Sequence, residues 1–120
     1  MTYLLVFMGG GLGSLSRFLI GRVSAQLFTT NFPLGTFISN MIACILLASF
    51  VLIFSDKSTE YSWVHPLLIV GFCGGFSTFS TFGNETFELL NSGNHLLAIL
   101  NIVLSILLGV GLIYFIRIRG

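Results

Sequence analysis

GFCGGFSTFSTFGNE, Gly71 to Glu85, sets phenylalanines at 76, 79 and 82 behind a Gly-Gly pair and fills the positions between them with Ser and Thr. The stretch lies inside a long apolar run, in a chain of 120 residues that is 55% hydrophobic and 8% charged. That is not the composition of a soluble core. The formal charges are confined to Arg17, Arg22, Asp56, Lys57, Glu60, Glu85, Glu88, Arg117 and Arg119. The gaps between them accommodate the roughly 20 apolar residues that a helix needs to cross a bilayer.

Four spans are expected, at about residues 4–28, 35–54, 64–90 and 96–116. The connectors are Thr29 to Pro33 (TTNFP), Ser55 to Ser62 (SDKSTEYS) and Asn91 to His95 (NSGNH). Pro33 cannot continue a helix, while Trp63 and Pro66 suit an interfacial anchor and a first helical turn. Arg117 and Arg119 close the last span, where long cationic side chains reach the headgroups. Backbone polar groups in lipid must be paired within a helix or a closed barrel, and the strand-period alternation of a barrel is absent. The expectation is an all-α membrane protein, one four-helix domain over residues 1–120. Its N-terminal span is retained, since it lacks the positive n-region of a signal peptide. Cys44 and Cys73 have no His or Cys at ligand spacing. No catalytic residue and no nucleic-acid partner are expected.

An even number of spans puts Lys57, Arg117 and Arg119 on one side of the membrane, against Arg22 and Arg17 near the other. Orientation follows Lys and Arg near span ends, so this slight bias fits insertion both ways and an antiparallel pair. The competing reading is that five cations are too few to inform. Four thin helices also leave little internal room, which favours a pathway built from two copies.

The intramembrane polar residues need reasons. In GGGLGSLSR (Gly9 to Arg17) the pair Gly9 and Gly13, repeated as Gly10 and Ser14, lets helices approach closely. Without a preceding strand it is no dinucleotide loop. Arg17 sits deep enough to require a partner or water, and could line a vestibule that attracts anions. In LGTFISN (Leu34 to Asn40) Thr36 and Asn40 share a helix face, either as interhelical glue or with Asn40 offering amide N–H groups to an anion. Gly74 and Gly75, with Ser77 and Thr78 behind them, are the expected place for the third helix to unwind. Irregular backbone at that depth must be buried or line a cavity, and in a two-fold dimer its carbonyls could meet around a small hard cation.

Beyond that point Phe76, Phe79 and Phe82 form one stripe, Ser77 and Ser80 a second, and Thr78 and Thr81 a third. Ring edges are positive, and with hydroxyl and amide donors they could replace the hydration of a small anion without trapping it. The alternative is packing rings and hydroxyls bonded to their own helix. Glu85 needs a partner, a proton or a water-filled mouth, whereas Glu88 suits the interface. Asn101 and Ser105 are one turn apart in the last span, facing the pathway or merely another helix.

GFCGGFSTFSTF, PLGTFISN and GGGLGSLSRF, in their relative positions, resemble the fluoride channel family Fluc, also called CrcB, along all four spans. The resemblance implies a passive fluoride channel of the cell membrane that lowers cytoplasmic fluoride and its toxicity, assembled as a dual-topology antiparallel homodimer with two anion pathways. It implies Phe79 and Phe82 as the ring pair beside the ions, Asn40 as amide donor, and Thr36, Thr81 and Ser105 as a polar track with Ser80 close by. Arg17 and Glu85 match the family's buried arginine and its acid. Backbone carbonyls at the break, those of Gly74 and Ser77, would hold a structural sodium ion at the dimer interface. Gly109 stands where a second track hydroxyl is expected, and Asn101 where an aromatic or His is. The alternative of a small proton-coupled multidrug exchanger calls for an acid in the first span, which has arginines instead. A third reading is a non-transporting assembly subunit.

Overall fold

The computed structural model describes residues 1–57 and 59–120; within the polar connector Ser55 to Ser62, Ser58 lies outside them. Among the described residues the regular elements are all helical: α1 (Thr2–Leu27), α2 (Leu34–Phe54), a 3-10 turn (Ser55–Lys57), a π-helical segment (His65–Cys73), α3 (Gly74–Phe76), α4 (Phe79–Asn91) and α5 (His95–Arg119). They make four stretches long and apolar enough to cross a membrane, Thr2–Leu27, Leu34–Lys57, His65–Asn91 and His95–Arg119, within a few residues of the expected spans.

The ends follow local chemistry. After α1 the backbone turns extended at Phe28 (φ −124°, ψ 130°), whose N–H still bonds Ser24 O. Pro33 then caps α2. Pro66 sits in the first turn of the third span, where its missing N–H leaves nothing unpaired. α4 stops at Gly93, whose positive φ of 88° suits a residue without Cβ and lets the Asn94 N–H return to Leu89 O at 2.8 Å.

α1 packs chiefly on the π-helical segment and α3, and α2 on α5. The buried apolar residues are mostly small, Ala43, Ala48, Cys73 and Ala98 among them, while Phe7, Leu12, Phe18 and Leu107 point outward. Lipid is as apolar as leucine, so close backbone approach, not burial of large side chains, holds such helices together. A Cβ on Gly9 would run into the Leu67 carbonyl oxygen, one on Gly13 into that of Phe72, and one on Gly75 into that of Gly10. The small-residue spacing in α1 therefore serves contacts within the chain itself.

The third span breaks one step later than its glycines suggest. Gly74 is helical (φ −64°, ψ −38°), and Gly75 spends its missing side chain on the approach to α1. Unwinding comes at Ser77 (φ −81°, ψ 156°) and Thr78 (φ −150°, ψ 124°). Thr78 is an N-cap: its Oγ1 accepts the Thr81 N–H at 3.2 Å. Asn40 brackets the same residue from α2, its Oδ1 accepting the Thr78 N–H at 2.8 Å and its Nδ2 donating to Thr78 O at 3.2 Å. The break also removes Phe76 from the expected stripe. It is buried, its ring centroid 5.5 Å from that of Phe72, which leaves Phe79 and Phe82.

Two outcomes are expected in detergent. Gly13→Ala should cost about 1–3 kcal/mol by overpacking and lower the melting temperature, while Gly11→Ala, with nothing within 4 Å of its new Cβ, should leave it unchanged. Thr78→Ala, losing a cap worth about 1 kcal/mol, should speed hydrogen exchange at the Thr81 amide without changing it in α5.

Candidate functional site

Three elements meet in an open groove of about 260 Å³ at the break. α2 contributes Asn40, α4 contributes Phe79 and Phe82, α5 contributes Ser105, and Ser77 and Thr78 of the break complete that wall. The capped start of α4 aims the rings: three residues apart, they stand on one face with centroids 5.8 Å apart and planes inclined at 44°. Phe79 is 82% exposed and Phe82 half-buried, so the groove lies open along the side of the chain. Asn40 spends Oδ1 and one Nδ2 hydrogen on Thr78 and keeps a second hydrogen. Asn40 thus brings an amide beside the two rings, Met41, Cys44 and Ile106 complete the lining, and none of these residues carries a formal charge.

Other expected residues lie elsewhere. Thr36 is one turn, about 6 Å along the helix axis, from Asn40, yet it lines a separate cavity of about 220 Å³ with Glu85, Ser24 and Gly35. Glu85 also borders a polar hollow of about 370 Å³ with Glu88, Asn31 and Asn94, at the end where α1 meets α2 and α4 meets α5. Its Oε1 is buried without a hydrogen-bond partner among the described residues, while Glu88 accepts from Asn84 Nδ2 at 3.3 Å. Ser80 is exposed, its Oγ 3.4 Å from Thr78 Oγ1. Thr81 is half-buried with its N–H in the cap. Neither is among the lining residues of the groove.

Half-buried Arg17 reaches the break from α1, its Nε donating to Gly75 O at 3.2 Å. That bond engages one carbonyl while others are released. A continuous helix would send the Thr78 N–H to Gly74 O, but it goes to Asn40; the Thr81 N–H would go to Ser77 O, but it goes to Thr78 Oγ1. The Gly74 and Ser77 carbonyls are freed by the same two side chains that stabilise the break.

The sequence reading passes over Thr86. Its Oγ1 donates to Phe82 O at 2.8 Å and accepts from Asn101 Nδ2 at 2.9 Å, and Ser105 Oγ donates to Asn101 Oδ1 at 3.3 Å. The usable signal was its place four residues after Phe82, where a threonine hydroxyl finds the carbonyl one turn back.

Residues 4–116 match the family model described as CrcB-like protein, Camphor Resistance (CrcB). The fluoride-specific ion channel FluC of Phocaeicola vulgatus is 42% identical over 109 residues, which is 91% of this chain and 89% of that protein. Its namesake in Pyrococcus abyssi is 42% identical over 114 residues, 94% and 90% of the two chains. That of Flavobacterium psychrophilum is 39% identical over 108 residues, 90% and 87%. On a family match from the first span to the last, the chain belongs to the CrcB-like family.

Proposed function

We propose that this multi-pass membrane protein is a fluoride-selective channel of the plasma membrane, not an enzyme, carrying fluoride passively out of the cytoplasm. The observation that carries the reading is the uncharged groove of Asn40, Phe79, Phe82 and Ser105, in a chain whose relatives are named fluoride-specific ion channels. A compact anion gives up its water only where donors replace it. Here the free Asn40 N–H and the positive ring edges do so with no cation to hold the ion in place. An inside-negative potential drives an anion outward, by about 2.3 kcal/mol per charge for each 100 mV. Thr36 and Glu85, with Arg17 on α1, serve the approaches to the groove, and Ser80 and Thr81 support the start of α4.

The working unit is an antiparallel dual-topology homodimer. A ring 82% exposed at mid-membrane and a groove open on one side favour a second copy as the missing wall. The nearly balanced cations of the two membrane faces allow both orientations. Two-fold pairing would bring the Gly74 and Ser77 carbonyls of both copies together, hard oxygen ligands of the kind a sodium ion takes. A sodium ion there would tie the copies together and carry no current.

Purified protein in liposomes loaded with potassium fluoride should release fluoride when valinomycin shunts the potential; no release from folded, dimeric protein would sink the channel reading. Phe79→Ile and Phe82→Ile should each lower the flux by at least about tenfold, the scale of one lost ion contact, while eluting as the unsubstituted dimer. Full flux in both would remove the rings from the pathway. Exchanging sodium for N-methylglucamine should lower the melting temperature of the dimer, and an unchanged value would exclude a stabilising sodium.

A further inference from the structure

The last span carries a buried amide that the groove itself does not use. Asn101 on α5 is 2% exposed and holds both ends of its side chain in a chain of hydrogen bonds. The hydrogens all point one way: Ser105 Oγ to Asn101 Oδ1 at 3.3 Å, Asn101 Nδ2 to Thr86 Oγ1 at 2.9 Å, and Thr86 Oγ1 to Phe82 O at 2.8 Å. The direction is fixed, because Thr86 gives its only hydrogen to the Phe82 carbonyl and must accept from Asn101. The Asn101 oxygen is then turned to Ser105. The series starts at one groove residue and ends on the backbone of another.

Its two ends differ. The links through Thr86 are short: the bond from Asn101 holds α5 against α4, and the bond to the Phe82 carbonyl runs within α4, back over the turn that carries the groove ring. The link to Ser105 is long for a hydroxyl bond and lies at the groove wall. In that arrangement Ser105 shows lone pairs to the groove while its hydrogen points to Asn101, so an anion gains that hydrogen only by drawing it away from a buried acceptor. An acceptor left bare in a dry site weakens the exchange, which keeps the anion loosely held at Ser105.

We infer that Asn101 is a positioning residue of the groove, a latch that ties α5 to α4 at Thr86, one turn from Phe82, and holds back the Ser105 hydroxyl hydrogen from the passing anion. The inference rests on the channel reading given above. Removing the latch frees that hydrogen, so the anion binds more tightly and leaves more slowly.

The test measures fluoride flux from liposomes over a range of potassium fluoride concentrations, for the unsubstituted chain, Asn101→Leu, Thr86→Val, Ser105→Ala, and each of the first two combined with Ser105→Ala. Asn101→Leu should lower the half-saturating fluoride concentration by about fivefold, a coupling of ordinary size between touching groups, and lower the maximal flux with it. Thr86→Val unseats the amide with little change of volume and should shift half-saturation the same way by less; it serves if Asn101→Leu fails to assemble. With Ser105→Ala present neither substitution should move half-saturation, because the hydrogen being held back is gone. A conducting unsubstituted chain whose half-saturation is unmoved by either substitution overturns the latch, and so does an equal shift with and without Ser105. An unsubstituted chain that conducts no fluoride overturns the channel reading and the latch with it.

Discussion

A helix interrupted in hydrocarbon leaves N–H and C=O groups that no water can satisfy, each costing several kcal/mol. Here the interruption at Ser77 and Thr78 is tolerated because Asn40 supplies both halves of a backbone-like pair to Thr78, and Thr78 caps the helix it begins. Everything around the groove follows from that exchange. It sets the first residue of α4 and hence the face on which Phe79 and Phe82 stand. It also brings α2 to the groove with an amide hydrogen to spare, and it strips the Gly74 and Ser77 carbonyls of their usual donors.

The packing around the break has the same economy. Glycine-lined contact holds α1 to the first half of the third span, backbone against backbone, so large apolar side chains are left to face lipid or another protein surface. The groove at the break lies open on the flank of this thin construction. A buried polar series from Ser105 to the Phe82 carbonyl then supplies the stiffness that a core of small residues does not.

Much of this was legible in the sequence. Span lengths, the proline at the third span, the interrupted helix and the small-residue spacing of α1 all express local rules, and each stands in the structure within a few residues. The sequence places the break over Gly74 to Ser77, and it comes at that stretch's far end, at Ser77 and Thr78; Gly75 instead meets a tertiary demand, its approach to Gly10, which no local rule reveals. Phe76 belonged to the stripe only while the helix was taken as continuous. Thr36 and Asn40 share a face, yet Thr36 meets Ser24 of α1 and Glu85 where Asn40 meets the break and α5, so one turn parts two separate cavities. Thr86 was overlooked because a threonine in an apolar helix is ordinarily bonded to itself and nothing more, and its second partner comes from another span.

The nine-residue π-helical segment His65–Cys73 has its own bearing on how the chain tolerates change. Such a helix bonds each N–H five residues back instead of four, so it holds more chain per turn than its α-helical neighbours. The angular positions of Gly71 and Gly75 depend on that surplus. Deleting one residue between His65 and Val70 would remove that surplus and let the segment rewind as an α-helix, turning the chain beyond it by much less than the turn of about 100° that a deletion imposes on a continuous α-helix. This stretch is thus more open to losing a residue than the α-helices around it, whose lengths fix the facing of everything that follows them.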